Sequence, residues 1–475
     1  MGTSPCLCAT VILSLALGAC AQAPRSAPVQ QPESAASATE VDPAETAQRE
    51  LPQPLDLRQA VAHALARNPD MQVAAARLRQ AQAQLRLAGA ALHPTLQLEV
   101  EYLQSEAPST YLFKTIDQRE LPPQVDFNDP GRVENLETGL GLQYSLYNGG
   151  RDQLNQRQAA VGVELASVGT AATRNQLIAG VMTTWYRIDA AEAMLRTAET
   201  SVETVQAQLQ ETRTVYEAGG EALKSDVLSL RARLAEAEEA VISARNARRL
   251  AVAALLELLG ETGELRPDIS LGEDQPLTIP EDPDQLLTDA LRLRPELRRA
   301  RLAIEEARLD AELAAAAWRP TVGLNGRVYW DDEDVDYASD ATNWMAALSL
   351  QWLLYDGGAR GHQHEMALTA IEQMRAMDRK QLLAVRADLR RSQLQLEDAQ
   401  ARLQTASTGV DAAAESLELV AARYTAGAAT VTRYLEAELM LNKARLRRIR
   451  AETDLRQARV DLARASGYFL RGDAP

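Results

Sequence analysis

Aromatic residues are scarce in this chain, and their scarcity excludes a large conventional core. They make up 4% of the 475 residues, and only three of them are Phe. A chain of this length would normally form about two or three globular domains. Its hydrophobic share of 46% instead consists mainly of Ala and Leu, beside 24% charged residues. This composition is typical of long packed helices.

Basic charge is also lacking. The chain has 50 Lys and Arg against 66 Asp and Glu, for a net charge of −16. Nucleic-acid phosphates require clustered basic side chains, and the sequence has no such cluster with interleaved aromatic residues. No nucleic-acid partner is therefore expected.

Residue types that perform catalysis are few. The chain has four His, no cysteine beyond position 20, and no Gly-rich loop ending in Lys-Ser or Lys-Thr. The chain therefore lacks the residues expected of an enzyme that uses a nucleophile, hydrolyses with a bound metal or hydrolyses nucleotides. His362 and His364 do not share a helix face and have no evident third ligand. The sequence predicts no enzyme activity, no cofactor and no metal site.

All three cysteines, Cys6, Cys8 and Cys20, lie in the first twenty residues, so the rest of the chain has no disulfide framework. The apolar run from Leu7 to Leu17 has the length of a signal peptide. It is too short for a membrane-spanning helix, which needs about 20 apolar residues.

The apolar run ends in Leu-Gly-Ala-Cys20, which resembles the processing box of bacterial lipoproteins, although no Lys or Arg precedes it. The resemblance implies a lipoprotein signal peptide over 1–19 and an acylated Cys20, and Ala21 after it favours the outer membrane. The alternative is three incidental cysteines. The aperiodic segment 20–50, rich in Pro, Ala, Ser, Gln and Glu, predicts a lipid-anchored flexible tether.

Proline is absent from 131–266 and from 321–474, so nothing in these segments forces a helix to break. We expect helices from Arg151 to about Glu217 and from Ala359 to about Thr425. Each would contain roughly 65 residues and extend about 100 Å. Glycine turns then send the chain back along second helices, which predicts helical hairpins over 151–260 and 359–467.

The sequence contains an internal duplication. Asn68-Pro69 returns as Arg294-Pro295, 226 positions later, whereas Tyr-Asn-Gly149-Gly150 returns as Tyr-Asp-Gly357-Gly358, 208 positions later. The second copy is therefore shorter between its proline and its Gly-Gly, which indicates a variable loop in each copy. The predicted organisation is repeat 1 over 51–260, a linker over 261–283, repeat 2 over 284–467 and a tail over 468–475.

Four segments alternate apolar and polar residues as strands do. They are 95–102, 139–147, 322–330 and 346–352. Each has about nine or ten residues, the length with which a tilted strand crosses a bilayer. Aromatic residues near the strand ends resemble an interfacial girdle, which favours membrane β-hairpins over 95–147 and 321–355. A soluble sheet with one hydrated face would show the same alternation.

Four strands are too few to close a transmembrane barrel, and an open edge in lipid leaves backbone groups unpaired. The barrel must then be shared between chains. A dimer would give a minimal barrel of about 8 strands filled by its own side chains, whereas a trimer would give about 12 strands and a lumen.

Together these elements resemble the TolC-like outer-membrane efflux proteins, specifically their lipoprotein branch, over about residues 51–467. The resemblance rests on duplicated motifs in matching order. They are Ala-x-x-x-Asn-Pro at Ala64–Pro69 with its echo at Ala290–Pro295, the Tyr-Asn/Asp-Gly-Gly motifs, and the Tyr-x-x-Gly turns ending at Gly219 and Gly427.

The resemblance implies a mainly α fold with membrane β-strands. Three chains would form a periplasmic α-helical barrel and share a roughly 12-stranded transmembrane β-barrel, four strands per chain. The implied function is a gated, passive exit duct of a tripartite efflux system in the outer membrane, exporting small molecules such as drugs or metal ions. Its implied partners are a periplasmic adaptor and an inner-membrane pump.

The same resemblance implies that the turns at Gly219-Gly220 and Gly427 form a periplasmic tip where the adaptor docks and the pore narrows. The barrel-to-helix junctions would be Gly149-Gly150 and Gly357-Gly358. The first tip turn has one residue too many. Counting from Tyr216 selects Gly219 as the motif glycine, whereas counting back from Asp226 selects Gly220.

Acidic residues near the tip glycines are candidates to line the constriction. Matched by spacing they are Asp226 and Glu436, while Arg433 stands where the family often has an acid. Three copies of one acid around a narrow axis would favour cations. The alternative is an ordinary solvated helix face.

Two other functions stay open. One is the outer-membrane component of a type I protein secretion system, and the other is a lipid-anchored periplasmic coiled-coil spacer or adaptor with no pore. A spacer would not need two pairs of alternating strands. The acidic run starting at Asp332 has calcium-loop spacing but Tyr337 where that loop needs Gly, which predicts a solvated external loop.

Overall fold

A computed structural model describes residues 55–220, 222–261, 277, 279–280, 282–333 and 341–471. The chain divides into two units, Met1–Gln53 and Pro54–Pro475, and every described residue lies in the second. The predicted signal peptide, Cys20 and the tether lie outside the described residues, as does most of the predicted linker.

Within the described residues the chain forms nine α-helices and four β-strands in two copies that share their element order except for one helix, α3, in the first copy. The first copy consists of α1 (Leu57–Arg67), α2 (Pro69–Ala90), β1 (Thr95–Ser105), α3 (Pro108–Asp117), β2 (Val133–Tyr147), α4 (Arg151–Glu217) and α5 (Lys224–Leu259). The second consists of α6 (Pro283–Leu293), α7 (Pro295–Ala316), β3 (Thr321–Asp332), β4 (Thr342–Gln351), α8 (Ala359–Thr425) and α9 (Val431–Ser466). A short 3₁₀ turn, Tyr468–Leu470, follows. The predicted fold class, mainly helical with four strands per chain, is confirmed.

Helices α1 and α2 begin after side chains that cap their first N–H groups. Asp56 accepts the N–H of Arg58 at 3.1 Å before α1. Asn68 accepts the N–H of Asp70 at 2.8 Å before α2, where Pro69 occupies the first helical position and needs no partner for a missing N–H. The Asn-Pro motif therefore ends one helix and starts the next.

The side chain of Asn68 also binds the C-terminal end of α5. Its amide donates to the carbonyl of Leu258 at 2.9 Å, one of the carbonyls that the end of α5 leaves unpaired. In the second copy Arg294 takes this position, and its guanidinium donates to the carbonyl of Ala465 at 3.0 Å. The two copies thus satisfy equivalent carbonyls with different chemistry.

Helices α4 and α8 contain 67 residues each and begin and end where the sequence predicts. Each therefore extends about 100 Å. Helix α4 packs along α5, α8 packs along α9, and α9 also contacts α4. Among the described residues, no helix combines the length and apolar character needed to cross a membrane.

The core consists of narrow seams between these helices. One seam joins the four helices α6, α7, α8 and α9 through Leu286, Ala290, Leu297, Val385, Leu389, Leu462 and Ala465. A second joins α4 to α7 through Leu154, Val161, Leu302, Leu309 and Ala316. A third, near the turns that follow α4 and α8, contains Val205, Leu230 and Val431. The low aromatic content agrees with seams of this kind, because closely packed helices favour small and aliphatic side chains.

The strands form one antiparallel sheet in the order β1-β2-β3-β4, with a register shift between Ser145 and Tyr147. Each of the four strands has at least one bound that differs from the sequence prediction, and the largest difference is at the start of β2. Strand β2 begins at Val133 rather than Gly139, because helix α3 covers polar residues there and the apolar alternation is lost. Strand β4 ends before Trp352, whose indole N–H donates to the carbonyl of Trp318 at 3.0 Å. Helix α3 itself was not predicted.

Candidate channel site

The two faces of the sheet differ in chemistry. One cross-strand row consists of Leu98, Leu140, Val328 and Trp344, and the next consists of Gln97, Gly141, Arg327 and Met345. The side chains of Leu98 and Leu348 are each 70% exposed. An exposed apolar face is what a lipid-facing barrel wall would require, and in such a barrel the opposite, polar face would line the lumen.

A buried charged cluster lies on the polar face near the outer end of the strands, the end away from the Gly-Gly junctions. Lys114 of α3 donates to Glu137 at 2.5 Å and to Asp331 at 3.0 Å. Asp331 is fully buried, and Arg327 forms a further ion pair with Glu137.

Sequence patterns gave no signal for this cluster, because its members are far apart along the chain. The prediction of a solvated acidic loop starting at Asp332 is wrong at its first residue, since Asp332 is only 8% exposed. Strand β3 extends to Asp332 and pairs it with Leu136 of β2, so the residue belongs to the sheet and not to a solvated loop. Residues 334–340 of that run lie outside the described residues.

At the junctions, capping side chains and left-handed glycines turn a strand into a long helix. Asn148 accepts the N–H of Asp152 at 3.3 Å, and Asp356 accepts the N–H of Arg360 at 3.0 Å. Left-handed φ angles occur at Gly149, Gly150, Gly357 and Gly358. The motif therefore supplies an Asx cap and a backbone conformation that other residues rarely adopt.

The cap at Asp356 makes stability depend on pH. Burial opposes its charge, but the N–H and guanidinium of Arg360 together lower its pKa below the ordinary 3.8. A lowered pKa gives a contribution that is present at neutral pH and is lost as pH falls below about 4. We expect Asp356→Asn to lower the thermal midpoint at pH 7 and the difference from wild type to shrink as the pH falls.

Thermal midpoints of both proteins across acidic and neutral pH would check this. Asp398→Asn is the matched control, since Asp398 lies on the same helix in an exposed pair with Arg402, and such pairs contribute little. A difference at Asp356 that does not change with pH would contradict the expectation.

The turns after α4 and α8 close with the same hydrogen bonds. The N–H of Gly219 donates to the carbonyl three residues earlier at 3.1 Å, and that of Gly427 does so at 2.9 Å. The next residues, Gly220 and Ala428, each donate to the carbonyl five residues earlier, at 2.9 and 2.8 Å. Because Gly219 and Gly427 both have a left-handed φ and Gly220 does not, Gly219 is the motif glycine of the first turn.

The extra residue of the first turn therefore lies after Gly220, before α5 begins at Lys224. Counted from the starts of α5 and α9, Asp226 and Arg433 occupy the same third helical position. Asp226 accepts the N–H of Leu223 at 3.1 Å, while Arg433 donates to Glu436 at 3.1 Å. Each charge has a local partner, and a role in gating stays a prediction.

A buried polar cluster joins the two helical hairpins. Glu438 of α9, only 3% exposed, accepts from Ser201 of α4 at 2.8 Å and from Arg233 of α5 at 3.0 Å. Asn442 donates to Ser201 at 2.9 Å and to Glu438. No spacing in the sequence signalled this contact, because its members come from three different helices.

The histidines have separate surroundings. His362 is exposed beside Glu365 at 3.5 Å, and the ring of His364 contacts Trp318 edge-on with centroids 5.5 Å apart. Over the part of the chain that is described, no group of three or more His, Cys, Asp or Glu residues could hold a metal ion.

Comparisons with known proteins agree with this geometry. A family model described as outer membrane efflux protein matches residues 60–261 and 286–468. The chain is 26% identical to Protein CyaE of Bordetella pertussis over 433 residues, covering 89% of this chain and 86% of that protein. It is 23% identical to the pyoverdine export outer membrane protein OpmQ of Pseudomonas aeruginosa over 421 residues, covering 88% and 86%.

A solved structure is similar in fold. The Campylobacter jejuni CmeC outer membrane channel superposes with a TM-score of 0.74 at 17% identity, covering 86% of this chain and 85% of that one. At this identity the likeness shows the shared fold, in which two copies of the element order form long helices and a small sheet.

Proposed function

The chain belongs to the outer membrane efflux protein family, and from this premise we propose that three copies of it form one lipid-anchored duct. The protein is an outer-membrane efflux channel and not an enzyme. Members of the family form trimeric outer-membrane channels in tripartite efflux systems. In the proposed assembly the helical tip docks on a periplasmic adaptor that is fed by an inner-membrane pump.

The open sheet carries this proposal. In the described residues no strand pairs with the outer edge of β1 or of β4, and unpaired edges in lipid cost several kcal/mol per group. Neighbouring chains would satisfy both edges. Three chains would supply about 12 strands, enough for a barrel with a lumen lined by the polar face.

The substrate is proposed to be a small molecule. One relative is named as a pyoverdine export protein, and this similarity favours small-molecule efflux over protein secretion as the function of this chain. A type I protein secretion system remains the second candidate for the assembly, since a duct of this kind takes much of its selectivity from its pump. Family membership decides against the poreless spacer.

Native mass and single-channel recording of the purified full-length protein test the proposal. We expect a trimer that conducts in small, mostly closed steps in lipid bilayers. A non-conducting monomer or dimer would overturn it.

The proposed tip makes a prediction about Asp226 and Glu436. Replacing both with Ala removes acids that would face the narrow axis in three copies, so conductance or cation preference should change. Asp398→Ala, an exposed acid in mid-helix, is the control. Unchanged currents and reversal potentials in the double variant would remove both residues from the gate.

The proposed anchor makes a second prediction. Cys20→Ala should lack acyl chains by intact mass, yet remain in the membrane after alkaline washing, because the strands hold it there. Release by alkali would contradict the shared barrel, and an unchanged mass after correction for the substitution would contradict acylation.

A further inference from the structure

Helix α3 lies against the polar face of the sheet and presents an apolar side away from it. Lys114, Thr115 and Gln118 are directed toward the sheet, and Gln118 donates to the carbonyl of Glu134 at 2.8 Å. At 3.6 residues per turn, Phe113 lies on the opposite side of the helix. Its side chain is 66% exposed.

Contacts to three strands hold α3 over the face rather than beside an edge. Lys114 reaches β2 and β3 through its two carboxylate partners. The amide of Asn343 on β4 donates to the carbonyl of Asp117 at 3.1 Å, and Arg119 donates to the carbonyl of Thr342 at 2.9 Å. Because the polar face lines the lumen, the direction away from this wall is toward the barrel axis.

The exposed side of α3 is apolar where a hydrated lumen would favour polar residues. Ile116 is 47% exposed beside Phe113, and Phe127 after the helix is 47% exposed. Two of the three Phe residues in the chain are thus exposed in this one segment. Large exposed apolar side chains of this kind indicate an interaction surface.

We propose that the side of α3 formed by Phe113 and Ile116 packs against the same side of α3 in two further copies of this chain and narrows the outer mouth of the duct. The inference rests on the proposed trimer, since the unpaired edges of β1 and β4 bring neighbouring copies around one axis. The buried anchor of Lys114 makes the narrowing a fixed part of the barrel. It lies at the opposite end of the duct from the helical tip and acts independently of it.

Labelling of a thiol inside the barrel tests the proposal in intact cells. Gln97→Cys places the thiol on the polar face of β1. Glu101 lies in the same cross-strand row as Glu137, a partner of Lys114, and Gln97 lies two polar rows further from the outer end than that row. A small charged maleimide should label it readily, and a maleimide carrying a long polyethylene glycol chain should not. Adding Phe113→Ala and Ile116→Ala should raise labelling by the long reagent about tenfold, equivalent to about 1.4 kcal/mol.

Two further variants sharpen the result. Leu348→Ala truncates an equally exposed apolar side chain on the lipid-facing side and should leave labelling unchanged. Lys114→Met removes the anchor and should also admit the long reagent. Equal labelling of the parent and the Phe113/Ile116 variant by the long reagent would overturn the narrowing while leaving the duct intact. Failure of even the small reagent, or a mass other than a trimer, would overturn both proposals.

Discussion

Replacing Arg233 with Met is expected to lower the free energy of unfolding by about 3–5 kcal/mol, the usual effect of removing one partner of a buried ion pair. Glu438 would keep the hydroxyl of Ser201 and the amide of Asn442 but lose its countercharge. Since this cluster joins α4, α5 and α9, its loss should let the two hairpins separate near the tip. Single-channel conductance should rise together with the loss of stability.

Thermal or urea unfolding and bilayer recording would measure both effects. Arg213→Met is the matched control, because its partner Glu217 is exposed and four residues away on the same helix. A double variant with Glu438→Gln should recover much of the stability, since neither charge is then left buried alone. An unchanged midpoint in Arg233→Met would contradict the role of the cluster.

Gly149→Ala is expected to disrupt the barrel-to-helix junction far more than Gly357→Ala, although both replace a glycine of the same motif. Both positions have left-handed φ, 76° and 70°, where a non-glycine residue costs about 1–2 kcal/mol. At Gly149 the added Cβ would also lie 2.8 Å from the carbonyl oxygen of Ala316 and 3.1 Å from the Cβ of Arg319. At Gly357 nothing lies within 4 Å.

The backbone at Gly149 would therefore have to shift, weakening the hydrogen bond that Arg319 donates to its carbonyl at 2.8 Å. We expect Gly149→Ala to give little heat-resistant oligomer on gels, and Gly357→Ala to assemble with a modestly lower unfolding midpoint. Equal losses in both variants would mean that the left-handed conformation alone matters and that the approach of α7 does not.

Regular elements were predictable because their signals are local. The bounds of α4 and α8 follow from a Gly-Gly at one end, a Tyr-x-x-Gly at the other and no proline between. The lipid-facing alternation of β1 is equally local. The junction glycines can be recognised by their motif. The close approach of Ala316 to Gly149 depends on how α7 packs, so the motif does not predict it.

Helix α3 and its anchor were missed for a related reason. Pro108 at its first position and inward residues at helical spacing are local signals of a helix, but a segment between two alternating strands is equally compatible with a loop. Lys114 pairs with Glu137 and Asp331, which lie 23 and 217 positions away in the sequence. Which tip glycine belongs to the motif was likewise undecidable until the hydrogen bonds of the two turns could be compared.

The single residue inserted after Gly220 limits the symmetry of any partner. The turn after α4 is one residue longer than the turn after α8, so a closed ring of three chains presents six turns that alternate in length. In such a ring a partner would meet two kinds of turn, three long and three short. Six contacts to this edge would therefore form two sets of three rather than six identical ones.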